Sequence, residues 1–171
     1  METGKINNEI KIQQKNTVPE IVQRELGINN LENVKRIVET VKRSANKLNI
    51  ETHLLLVGGN VRPEKRGKYH KDVDLVLYSP QLATEVYFGG EHPKFDKFAK
   101  FIGDISDELG WKIETENPWF FEHEHCGDGK VTLLPGGNEK PIEVLPVRQS
   151  SLNGSFEGYL KSETDPYVIL L

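Results

Sequence analysis

Two stretches of this chain place apolar residues at helical spacing, and several shorter runs have the pattern of strands. Leu31, Val34, Ile37, Val38, Val41, Ala45 and Leu48 share one face of a helix that the pattern starts at Asn30, and Phe95, Phe98, Ile102, Ile105 and Leu109 share one face of another, closed by Gly110. Ahead of both, Thr17-Val18-Pro19-Glu20 offers an N-cap threonine, a proline for the first helical position and a capping-box glutamate, which predicts a short helix to Leu26 stopped by Gly27. Strands are expected at about His53 to Val57, Val73 to Tyr78, Trp111 to Thr115, Trp119 to His123, Lys130 to Leu134 and Ile142 to Leu145, the last entered through the turn Pro135-Gly136-Gly137-Asn138. Helices and strands interleave, with an antiparallel hairpin late in the chain. The expected class is therefore α/β (α+β), a mixed β-sheet flanked by helices. Residues 1–16 are polar without periodicity and read as a flexible tail before a single domain over 17–171. The apolar segment Tyr167 to Leu171 reads either as a last strand or as a surface for a partner, including self-association.

Composition narrows the classes. A chain of 171 residues, 36% hydrophobic and 28% charged, is enough for one real core and short of two comfortable domains. No apolar run approaches the ~20 residues that span a bilayer, and Met1 to Thr17 is polar rather than signal-like, so the expectation is a cytoplasmic protein with no membrane contact. Cys126 is the single cysteine, which excludes an intrachain disulfide and a cysteine zinc cluster. The net charge of −4 argues against a surface that holds long nucleic acid by its phosphates, while leaving room for a short nucleic-acid end.

The candidate chemistry lies between the first two expected strands. Leu54-Leu55-Leu56-Val57 ends in Gly58-Gly59, where backbone N–H groups can approach an anion that side chains would block. Asp72 and Asp74 follow, two residues apart, so on a strand both carboxylates point to one face and can share a divalent cation. Glu143 stands between Ile142 and Val144, where a carboxylate is costly unless paired. If its strand lies beside that of Asp74, the three acids form a triad suited to Mg²⁺ (or Mn²⁺); the alternative is an outward, solvated Glu143. The connector Arg62, Lys65, Arg66, Lys68, His70 and Lys71 is read mostly as a solvated loop, with Arg62 the best candidate to clamp phosphate because a guanidinium matches its oxygens bidentately. His123 and His125 fit a half-exposed strand better than a metal site, and Trp119, Phe120 and Phe121 fit core packing better than an aromatic wall for a base.

Gly58-Gly59, twelve intervening residues, Asp72-Val73-Asp74 and the later Ile142-Glu143-Val144 resemble the three-part signature of the nucleotidyltransferase superfamily that includes DNA polymerase beta. Gly58-Gly59-Asn60-Val61-Arg62 is similar to the head of tRNA nucleotidyltransferases and poly(A) polymerases, whereas Ile142-Glu143-Val144-Leu145-Pro146-Val147 looks more like the small antibiotic nucleotidyltransferases. Two positions depart from the pattern: Asn60 stands where many members have a serine or another small residue, and Pro63 replaces an aspartate. The resemblance implies a nucleotidyltransferase-like fold. It implies that Asp72 and Asp74 hold the ions bridging the nucleotide phosphates, and that Glu143 is a further metal ligand or the general base. Gly58, Gly59, Asn60 and Arg62 would then bind the nucleotide.

The expected function is metal-dependent transfer of a nucleotidyl group from a nucleoside triphosphate to a hydroxyl acceptor, with a small-molecule acceptor slightly favoured by the acidic balance and the short chain. The alternative from another class is a catalytically idle module of the same fold that binds a nucleotide or a protein partner. A metal-dependent phosphohydrolase is the weaker third reading, because it leaves the glycine pair unexplained.

Overall fold

The computed structural model describes residues 18–61, 72–85, 93–116 and 129–171. The connector from Arg62 to Lys71, the expected strand Trp119 to His123, His125 and Cys126 lie outside these residues. Two helices lead the described chain, α1 (Glu20–Leu26) and α2 (Ile28–Leu48). They meet at Gly27, whose φ of 78° places it in the left-handed region open to glycine. Because Gly27 also caps the second helix, α2 begins at Ile28, two residues earlier than the apolar spacing alone suggests. Pro19 differs from expectation too. It stands just outside α1 with ψ at 145°, and its carbonyl accepts the bond from the Gln23 N–H at 2.9 Å.

The strands β1 (His53–Val57), β2 (Val73–Tyr78), β3 (Lys112–Glu116), β4 (Lys130–Leu134), β5 (Ile142–Pro146) and β6 (Val168–Ile169) form one sheet in the order β3-β4-β5-β2-β1-β6. β2 and β5 run parallel, and the other neighbours run antiparallel. The expected mixed sheet flanked by helices is thus present. The strand after α3 (Pro93–Leu109) starts at Lys112 rather than Trp111. Trp111 is spent closing that helix: its N–H reaches the Ser106 carbonyl at 3.0 Å, and its own carbonyl accepts from Ser106 Oγ at 2.7 Å.

Alternation along the strands gives the sheet two unlike faces. Leu54 and Leu56, Val73, Leu75 and Leu77, Val131 and Leu133, and Ile142 and Val144 are buried together with α1, α2 and α3 in the main core. The opposite face carries Leu55, Val57, Val76 and Tyr78. It is covered in part by α4 (Phe156–Ser162), which packs Phe156 and Tyr159 there. Phe156 also stacks on His53, with centroids 3.9 Å apart and planes 3° from parallel. The apolar C-terminal segment is used inside the fold. Val168 and Leu170 are buried and β6 pairs with β1, so those side chains are not a surface for self-association. No described helix is long and apolar enough to cross a membrane.

Candidate functional site

Asp74 and Glu143 are direct partners across the parallel β2 and β5. Strand parity turns both carboxylates to the partly covered face, away from the helices, and there they interact through a side-chain hydrogen bond. Burial, then the charge of Glu143 and that hydrogen bond, then the charge of Asp72, push the Asp74 carboxyl up from 3.8 to about 6. Lys130 acts in the opposite direction on Asp74. Its Nζ donates to Glu143 Oε1 at 2.5 Å, with side chains only 23% and 19% exposed.

Gly58 makes room for this arrangement. It opens the short 3₁₀ turn Gly58–Val61 with φ at 76°, and a Cβ built there would collide with the Asp74 carboxylate, lying 3.0 Å from its Cγ. The backbone beside Asp74 is therefore bare because a side chain cannot fit. Asn60, two residues on, is 4% exposed, and its Nδ2 donates to the Asp72 carbonyl at 3.2 Å. This bond ties the turn to the start of β2, so the Asn60 amide braces the site from beneath.

Beside the carboxylate pair opens a cleft of about 610 Å³. Val57, Gly58, Asp74, Glu143 and Leu145 form the sheet side, and Arg148, Ser151, Tyr159, Glu163 and Asp165 form the other. Arg148 is brought there by the bridge to Thr84, in which the Thr84 N–H reaches the Val147 carbonyl at 2.9 Å and the Gln149 N–H the Thr84 carbonyl at 2.8 Å. Burial raises the Tyr159 phenol, with Glu163 adding to the shift, so Tyr159 enters the cleft as a protonated donor.

Of the residues singled out from sequence, Asp74, Glu143 and Gly58 come together at the cleft. Gly59, Asn60 and Asp72 are near it but do not line it, and Arg62 lies outside the described residues. Asp72 acts on Asp74 through its charge, yet among the described residues no three His, Cys, Asp or Glu side chains form a group that could hold a metal ion. Of the three carboxylates expected to converge, Asp74 and Glu143 meet directly, Asp72 acts on Asp74 through its charge, and Lys130 is linked to Glu143. Lys130 and the far wall formed by Arg148, Ser151, Tyr159, Glu163 and Asp165 were not read from the sequence. Lys130 opens an expected strand, but its meeting with Glu143 depends on a register that no motif encodes. For the far wall, the Ser155 N-cap of α4 was the available signal; its Oγ accepts from the Gly158 N–H at 3.0 Å.

No family model matches this chain, and no curated protein matches it. Several solved structures are similar in shape. A tRNA-processing enzyme in its apo form I is 20% identical with a TM-score of 0.42, over 85% of this chain and 27% of that one. The Thermotoga maritima CCA-adding enzyme complexed with tRNA is 18% identical with a TM-score of 0.40, over 78% of this chain and 25% of that one. Terminal uridylyl transferase 4 from Trypanosoma brucei with bound CTP is 14% identical with a TM-score of 0.42, over 84% of this chain and 45% of that one. This chain thus spans between a quarter and a half of the length of these proteins. At such identities and scores the similarity says nothing about activity.

Proposed function

We propose that this protein is a metal-dependent nucleotidyltransferase, a member of the superfamily that its Gly58-Gly59, Asp72-Val73-Asp74 and Ile142-Glu143-Val144 signature resembles, and that it transfers a nucleotidyl group from a nucleoside triphosphate to a hydroxyl of a small molecule. The observation that supports this reading is the pairing of Asp74 with Glu143 in register on adjacent parallel strands, against the bare backbone of Gly58, at the edge of the cleft. Burial first, and then the neighbouring charges of Glu143 and Asp72, raise the Asp74 carboxyl, and an all-oxygen donor set of this kind suits a hard divalent cation.

Asp74 and Glu143, with Asp72 beside them, would hold Mg²⁺ or Mn²⁺. Bound there, the cation would offset the charge of the triphosphate and of the oxygens attacking and leaving phosphorus. Gly58 lets the phosphates come close to the chain, Arg62 clamps them, and Glu143 takes the proton of the acceptor hydroxyl. The acceptor oxygen bonds to the α-phosphorus, the bond from that phosphorus to the bridging oxygen breaks, and pyrophosphate leaves with the electron pair. A volume of about 610 Å³ suits a drug-sized acceptor, and Arg148, Ser151, Tyr159, Glu163 and Asp165 supply polar groups to orient it.

A second reading, an idle module that binds without catalysing, draws on the salt link already made by Glu143 and the lack of a three-donor group among the described residues. One experiment separates the two. Labelled nucleoside triphosphates are incubated with the protein, Mg²⁺ or Mn²⁺ and a panel of hydroxyl acceptors, with Asp74→Asn as the control. Pyrophosphate release and a nucleotide-labelled product from wild type alone support the enzyme. Nucleotide binding with no turnover on any acceptor supports the idle module.

A further inference from the structure

Ion pairs in the described parts of the molecule are mostly wet. Arg24 and Glu20 have side chains 76% and 80% exposed, and Lys100 and Asp104 have 77% and 61%. The pair of Lys130 with Glu143, at 23% and 19%, is drier than any of these and lies at the carboxylates of the cleft. Its geometry follows from the sheet. Glu143 is opposite Thr132 across β4 and β5, and Lys130, two residues before Thr132, shares its face, so the lysine stem crosses diagonally to the Glu143 carboxylate. Two partly buried carboxylates held together repel each other, and removing one member of a largely buried pair leaves a poorly compensated charge. A lysine ammonium, a compact charge on a flexible four-carbon stem, relieves that repulsion and can also swing away.

We propose that Lys130 is a built-in counter-cation: it occupies Glu143 while the site is free of metal, is displaced when a divalent cation binds, and so sets the cation affinity of the site. Nothing in the proposed transfer chemistry requires a lysine on this carboxylate, and the inference rests on that proposal only in taking Glu143 as a metal ligand. The ammonium and the cation compete for the same oxygen, so the structure of the protein without metal stays together, and cation binding is weaker than the carboxylates alone would give.

The test is a Mn²⁺ titration followed by electron paramagnetic resonance, without nucleotide, on the full chain and on Lys130→Met, Lys130→Arg and Glu143→Gln. Lys130→Met keeps the apolar stem and removes the charge. It is expected to bind Mn²⁺ at least tenfold more tightly than wild type, while Lys130→Arg stays close to wild type and Glu143→Gln loses binding. Equal or weaker Mn²⁺ affinity in Lys130→Met overturns the role of the lysine and leaves the carboxylate site standing. Absence of Mn²⁺ binding in every protein, or binding that Glu143→Gln does not change, overturns both. A measurement on wild type alone covers the case in which Lys130→Met does not fold: the rate at which Lys130 is acylated by an amine reagent, read by mass spectrometry against the exposed Lys47 of α2. Severalfold faster acylation of Lys130 with saturating Mg²⁺ supports displacement, and an unchanged rate overturns it.

Discussion

The two faces of the sheet are built from the same strands and answer to different demands. On the face toward α1, α2 and α3, every second residue of β2 and β5 is apolar and fully buried, as in Val73, Leu75, Leu77, Ile142 and Val144. On the other face the same strands carry Asp74 and Glu143 beside Val76 and Leu145, and α4 covers only part of the surface. One face is filled for stability; the other keeps charges close together next to open space, at a cost in stability. Stability and activity should therefore separate by strand parity, and neighbouring residues should respond in opposite ways.

The largest expected effect belongs to the helix-covered face. Leu75 is fully buried, one residue from Asp74, and Leu75→Ala should destabilise the protein by about 2–5 kcal/mol through lost transfer energy and the cavity left behind. Denaturant unfolding would show it as a lower midpoint. A loss below about 1 kcal/mol would mean that this face tolerates gaps and that the contrast between faces is overstated.

Next in size is Gly58→Ala. The new side chain would hold a left-handed φ and meet the Asp74 carboxylate at the same time, at an expected cost of about 1–3 kcal/mol, with Asp74 displaced from its place against the turn. Gly27→Ala is the matched control. It has the same kind of φ but nothing within 4 Å of its added Cβ, so it should cost less. If the two variants melt alike, the close approach to Asp74 contributes nothing and only the backbone conformation counts.

How much of this was legible in the sequence depended on how local the determinant is. β1, β2 and β4 fall where the apolar runs put them, because burial on the helix side imposes the run directly. The parity argument for Asp72 and Asp74 holds only inside a regular strand. Asp72 sits in a bend one residue before β2 begins, so strand parity does not fix the direction of its carboxylate, although its charge still acts on Asp74. The pair itself needed β5 to lie parallel beside β2 in register, which the apolar setting of Glu143 suggested without fixing the neighbour. Lys130 required a second register, that of β4 on β5, and no motif marks it. The seven residues of α4 were too few for a periodic signal, which left the Ser155 N-cap as the one local mark of the helix that brings Tyr159 to the cleft.

A smaller effect is expected from pH. Asp74 has its ordinary value of 3.8 in the unfolded chain and about 6 in the fold, so between those values the folded protein binds more protons. In EDTA its contribution to stability is fully present below about pH 4 and lost as pH rises through about 6. With screening by water at the cleft mouth, the loss should be about 1 kcal/mol. Asp74→Asn cannot titrate, so the difference between its melting temperature and that of wild type should widen in favour of the variant from pH 4 to pH 7. A constant difference across that range would mean that Asp74 is not under strain in the metal-free protein.

The smallest effect should come from the ion pair farthest in character from the cleft. Glu20 and Arg24 lie four residues apart on α1 with both side chains largely in water, 2.7 Å apart. Such a pair gains little in high dielectric and costs side-chain entropy to hold, and Glu20 adds only a modest interaction with the helix N-terminus. Glu20→Gln should lower stability by less than about 0.5 kcal/mol, and 0.5 M NaCl should erase most of the difference. The same salt should leave the dry pair of Lys130 and Glu143 nearly intact, so Lys130→Met should differ from wild type in stability by the same amount in low and high salt. Equal salt sensitivity of the two variants would place Glu143 in water and remove the charge contrast between the two faces.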